Sequence, residues 1–174
     1  MGLVSRLFRC HETIDHPFVV VEQVLAADPI PILMRATDSA SIGATPGASL
    51  HVDVGPIDVG ATIAIELLDI DRRAPPEPNP RTTFGLRWRA VTASSVFPEM
   101  DADLLVYPFS EGETQLDLVC RYWPPLGILG EAIDRLALHG FAKASVGRFL
   151  REVAAHLRAV LRVPQPVPGL DAGS

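Results

Sequence analysis

The side chains of this sequence that could do chemistry are few and scattered. Cys10, His11 and Glu12 are all metal-ligand types, but neighbours on a strand point to opposite faces and no second ligand pair follows at a finger-like spacing, so they read as ordinary strand residues. Asp101 and Asp103 share a face after a turn and read as exposed turn carboxylates. GxSxG, GxGxxG, HExxH and the phosphate-cradling P-loop are all absent, and Gly43, Gly47, Gly55 and Gly60 punctuate turns without opening a helix as a phosphate loop must. A nucleophile or nucleotide mechanism thus has no support in the sequence, and neither a metal nor a cofactor is expected. What remains is a thin set. Trp88 and Tyr122 carry polar tips that could orient one polar group of an apolar ligand, although as core aromatics they need no function. His139 could act as an acid or base near neutral pH if it faces a cavity, against a surface or satisfied-core reading. Cys120 reads as a small inward apolar residue.

The elements that would position these groups follow from periodicity. From Leu126 to Leu161 the chain has no proline, between Pro124–Pro125 and Pro164. Ile133, Leu136, Gly140, Ala144, Gly147, Leu150, Ala154, Leu157 and Leu161 recur in steps of three and four, one face of a helix about 50 Å long. Gly140 and Gly147 on that face each cost about 1 kcal/mol relative to alanine. Either the backbone there approaches a sheet closely or the missing side chains leave room for a ligand. Upstream, Leu3–Glu12 alternates as a first strand. Asp15, His16 and Pro17 form a helix start with Asp15 as N-cap, leading into FVVVEQVLAAD, against which the β-branched run Val19–Val21 argues for strand; PIPILM allows at most a short helical turn.

From Arg35 the period is two. RATDSASIGA, SLHVDV, ATIAIELLDIDRR, TTFGLRWRAVTAS, DADLLVYPF and TQLDLVCRYW read as six further strands, with GPIDVG, the proline-rich RAPPEPNPR and SEGE as connectors. Alternation places Leu50, Val52, Val54, Ile63, Ile65, Leu67, Phe84, Leu86, Trp88, Ala90, Leu104, Val106, Leu116, Leu118, Cys120 and Tyr122 on an apolar inner face. Asp53, Glu66, Arg87, Arg89, Asp103, Asp117 and Arg121 fall on a solvated outer one.

At 174 residues the chain is one domain, 1–163, with 164–174 as a disordered tail. The 48% hydrophobic content and mean hydropathy of +0.23 are high, yet no apolar run reaches membrane-spanning length. A net charge of -6 and a pI near 5.3 disfavour nucleic acid. Two cysteines in apolar runs and no signal-like start set the expectation of a cytoplasmic protein. The apolar surplus is internal or buried in a homodimer.

The segment RYWPPLGILGEAIDRLALHGFAKASVGRFLREVAAHL resembles the closing strand, Pro/Gly corner and long helix of the START-like (SRPBCC) superfamily, which includes polyketide cyclases, birch-pollen-allergen-like proteins and lipid-transfer domains. The resemblance spans residues 3–162 and implies an α+β helix-grip fold: a seven-stranded antiparallel curved sheet wrapped around a long C-terminal helix, with two short helices between the first and second strands. Two proportions depart from the family's usual ones, the short proline-interrupted region Asp15–Met34 and the proline-rich connector Arg73–Arg81. The resemblance further implies a cavity between sheet and helix for a small hydrophobic molecule such as a lipid or polyketide. Ile65, Leu86, Trp88, Leu118, Cys120 and Tyr122 would meet it from the sheet, His139 and Phe141 from the helix. Ligand binding ranks above the alternative, a cyclase, aromatase or dehydratase using the same cavity, because so few polar groups converge there.

Overall fold

The computed structural model describes residues 6–40, 49–54, 57–90, 99–122 and 135–162, and for 6, 39–40, 49–63, 90, 122 and 135–145 the backbone only. In chain order the elements are β1 (Arg6–Ile14), α1 (Phe18–Ala27), α2 (Pro29–Ala40), β2 (Ser49–Val54), β3 (Ile57–Arg73), β4 (Arg81–Ala90), β5 (Met100–Pro108), β6 (Thr114–Tyr122) and α3 (Arg135–Arg162). All pairings are antiparallel, in the order β1-β6-β5-β4-β3-β2. Five strands make the body of the sheet. β2 adds only to the first part of β3, pairing Ser49–Val54 with Ile57–Thr62. The sheet is open, with β1 and β2 at its edges.

The sequence predicts seven strands, and six are present among the described residues. The missing one is RATDSASIGA, whose first half continues α2 as a helix. Two facts explain this. Pro29 and Pro31 fall in the first turn, where backbone N–H groups have no intrahelical partner, so the prolines cost nothing there. Ile32, Leu33, Ala36 and Thr37 then make a buried stripe at helical spacing, and the Thr37 hydroxyl donates back to the Leu33 carbonyl at 2.9 Å. The segment after Pro31 is therefore a full helix rather than a turn.

The start of α1 also differs from expectation. His16 N–H donates to Ile14 C=O at 2.8 Å, which spends Asp15 on a turn. Pro17 is the N-cap, its carbonyl accepting from Val20 and Val21 at 3.0 and 3.2 Å. The β-branched run Val19–Val21 is helical because Phe18, Val21 and Leu25 bury one face. β3 begins at Ile57, four residues before the expected Ala61, because Ile57 pairs directly with Val54. The SEGE segment does close the β5–β6 hairpin: Phe109 and Ser110 N–H groups both donate to Glu113 C=O, at 2.9 and 3.2 Å.

On β4, β5 and β6 the faces follow the alternation, while the assignments at Leu50, Val52, Asp53, Val54, Ile63, Ala90 and Tyr122 lie outside the described side chains. Phe84, Leu86, Leu104, Val106, Leu116, Leu118 and Cys120 have no accessible surface, and Trp88 is 7% exposed. Against them lie Val146, Phe149, Leu150, Val153, Ala154 and Leu157 of α3, all buried. α3 is about 42 Å long at 1.5 Å per residue, and residues 126–134, the first part of the expected helix, lie outside the described residues. Its last turns are tied to β1 by Arg158, which donates to Glu12 Oε2 at 3.2 Å and to the Thr13 carbonyl at 2.6 Å.

Candidate functional site

Cross-strand pairing arranges the inner face in rows. The row nearest the start of α3 runs Ile65, Trp88, Met100, Tyr122, Arg6, and the next runs Leu67, Leu86, Ala102, Cys120, Phe8. Beyond a bulge between Leu67 and Asp69, the third row is Ile70, Phe84, Leu104, Leu118, Cys10, and the fourth is Arg72, Thr82, Val106, Leu116, Glu12. Directly opposed residues share a row, so position 122 stands in register with Met100 and, through it, with Trp88.

Packing is tightest away from the first row. Leu86, Leu118 and Cys120 are completely inaccessible, so no water-sized space touches them. Ile65, Leu67 and Met100 are only partly buried. Trp88 sits between these regimes and meets Phe149 of α3 edge to face, ring centroids 5.1 Å apart at 89°. A molecule entering between sheet and helix would meet Trp88, Ile65 and Met100 first, with the close-packed Leu86, Leu118 and Cys120 as the layer behind them. Sequence reasoning misses Met100, which falls in the loop that precedes the expected strand DADLLVYPF.

His139 and Phe141 belong to the first turns of α3. Helical periodicity puts position 139 in line with Val146 and Val153, seven and fourteen residues on, and position 141 in line with Arg148 and Ala155. Gly147 is not a point of close approach to the sheet: a Cβ there would meet only the Arg151 guanidinium, at 3.9 Å. Of the two readings of that glycine, close backbone contact is excluded.

Among the described residues the ionisable groups on the inner side are few. Glu22 lies on the stripe of Phe18, Val21 and Leu25 and is 9% exposed. It accepts from the Thr82 hydroxyl at 3.2 Å and pairs with Arg72 at 2.6 Å. A charged residue inside an apolar helical stripe is the signal in the sequence that could have marked it. Burial raises the Cys120 thiol far above its ordinary pKa, with smaller contributions from Cys10 and Asp103. The thiol therefore stays protonated and is no nucleophile.

The trio at Cys10–Glu12 is split by the sheet. Cys10 and Glu12 oppose Leu118 and Leu116, while His11 opposes Asp117 on the outer side. Among the described residues no group of three His, Cys, Asp or Glu is placed to hold a metal.

The outer face is charged as expected, with two corrections, the first being that Asp101, expected as an exposed turn carboxylate, is half-buried within β5. Arg87 grips Asp101 with two hydrogen bonds of 2.6 and 2.9 Å, and Arg89 pairs with Glu66. Asp117, however, is only 2% exposed. Arg9 covers it, the Tyr107 hydroxyl donates to it at 2.5 Å, and the Gln115 amide donates at 3.4 Å. Burial alone would raise its pKa; these hydrogen bonds outweigh it and hold the carboxyl below the ordinary value.

An open antiparallel sheet gripping a C-terminal helix has recognisable solved counterparts. The Zhui aromatase/cyclase from Streptomyces sp. R1128 superposes with a TM-score of 0.56 at 19% identity, over 94% of this chain and 100% of that one. The fold is START-like. Two further START-like structures align comparably: TTHA0849 from Thermus thermophilus, at 0.53 and 15% identity over 89% of this chain and 99% of its own, and Ara h 8.0201, at 0.52 and 10% over 90% and 99%. No family model and no curated protein matches the sequence. The START-like fold accounts for the grip of β4–β6 on α3; at these identities the likeness carries the fold alone.

Proposed function

We propose that this START-like domain binds a small hydrophobic molecule, a lipid, polyketide or similar compound, between the sheet and α3. The observation that supports it best is the gradient of packing along the inner face, from inaccessible Leu118 and Leu86 to partly open Ile65 and Met100 around Trp88. Apolar walls with one or two polar tips suit such a ligand. Trp88, Ile65 and Met100 would line the mouth, with the close-packed Leu86, Leu118 and Cys120 as the layer behind it; position 122 on β6 and position 139 on α3 would complete its edge, whereas position 141, in line with half-buried Arg148 and exposed Ala155, falls outside it. Native mass spectrometry of the purified protein, with solvent extraction, should reveal an apolar compound at one per chain, lost in Trp88→Arg. A crystal structure with no void above about 100 Å³ between sheet and α3 would overturn the reading, since ligand pockets run from about 300 Å³.

A second reading is a cyclase, aromatase or dehydratase that folds a reactive chain in the same space. This reading needs one group able to move protons near neutral pH, and His139, at the α3 position in line with Val146 and Val153, would be that group. A neighbour of the same fold is named an aromatase/cyclase. Incubation with a poly-β-ketone thioester analogue should then give a cyclised product that His139→Gln abolishes. Absence of product from the unaltered protein would leave the binding reading alone.

A further inference from the structure

We infer that the β3–β4 hairpin end carries a small oxyanion site centred on Arg81, on the outer face and separate from the inner-face cavity. Arg73 and Arg81 are directly opposed in the β3–β4 register, so two guanidinium groups rise side by side where a sheet ordinarily sets opposite charges. The other arginines of β4 both hold carboxylates, Arg87 on Asp101 and Arg89 on Glu66. Arg81 holds none among the described residues. It is half-buried and its Nε is shielded from water without a hydrogen-bond partner.

The acidic groups nearby do not satisfy it. Asp71 reaches only Arg73, at 3.9 Å between half-exposed side chains. Glu77 is exposed in the connecting turn, where its N–H donates to Ala74 C=O at 3.1 Å. Asp117 is taken by Arg9, Tyr107 and Gln115. Arg72 points to the other face and pairs with Glu22.

The shielded Arg81 Nε cannot itself meet a solvent ion, but the two Nη groups are not buried, and that end of the planar fork suits two oxygens of one phosphate or carboxylate. The chemistry recognised is thus a tetrahedral or planar oxyanion small enough to sit between Arg73 and Arg81. The ion could be free phosphate or the phosphate of an organic monoester.

The test is side-chain nitrogen NMR of the full chain, following the Arg81 Nε–H while inorganic phosphate, and separately phenyl phosphate, is added at ionic strength held constant with sodium chloride. A saturable shift with either ligand, lost in Arg81→Met and weakened in Arg73→Met but retained in Arg89→Met, is expected. Saturation by phosphate alone assigns the free ion; tighter saturation by phenyl phosphate assigns a monoester. A shift no larger than that from chloride overturns the proposal. So does a shift that survives Arg81→Met, or an Arg81 resonance that moves on Glu77→Gln and ignores phosphate, which would make Glu77 the internal partner.

Discussion

At the residue scale, the buried carboxylate of Asp117 gives the clearest test of electrostatics. Its folded-state pKa is depressed below the ordinary value, so it contributes stability above the unfolded-state pKa of about 3.9 and loses it as pH falls through the folded value. Asp117→Asn should cost about 1–3 kcal/mol at pH 7, where Arg9 and Tyr107 lose a charged acceptor. In urea titrations the gap to the unaltered protein should close as pH drops below about 4; a gap constant from about pH 7 to about pH 3 would contradict the assignment. Phe149 tests the inner face in the same way. Phe149→Leu keeps most of the buried area but removes the edge-to-face contact with Trp88, and should cost about 1 kcal/mol by thermal or chemical unfolding.

At the element scale, what the sequence revealed depended on how strongly one signal dominated. β4 and β6 were legible because Phe84, Leu86 and Trp88, or Leu116, Leu118 and Cys120, alternate without interruption, and nothing else fits that period. α2 was not, because Pro29 and Pro31 read as breakers when they occupy a first turn, and its polar end RATDSA alternates by chance. The inward assignment on β3 holds at Ile65 and Leu67, which pack against the core, and stops there. The bulge that follows puts Ile70 and Arg72 on the inner side, a shift that no alternating pattern encodes. Asp117 failed for a different reason: burial on an outer face depends on Arg9 and Tyr107, distant in sequence. Two predictions belong here. Leu33→Ala should destabilise the protein by about 2–5 kcal/mol, since Leu33 is 1% exposed on α2; a negligible change would mean that α2 does not pack. Arg158→Met should cost about 2 kcal/mol and speed hydrogen exchange in the last turns of α3 and at Thr13, because it removes the charged tie to β1. Unchanged exchange there would show that apolar packing alone fixes the helix.

At the scale of the whole molecule, the sequence led to the START-like fold through the order of its elements, and the superpositions agree with it. The ligand was not legible, because a cavity is defined by what side chains leave empty and no residue pattern records that. The site residues divide accordingly: Leu86, Leu118 and Cys120 could be placed inside from alternation, whereas the relative openness of Ile65 and Met100 emerged only from packing. The central claim is that the Trp88 end of the inner face accepts an apolar molecule. The most direct measurement is the emission of Trp88 in a Trp123→Phe background as a polycyclic aromatic probe is added. A saturable change at one probe per chain, abolished by Ile65→Arg in a variant that still folds, is predicted; emission that stays constant, or changes linearly without saturation, would contradict it.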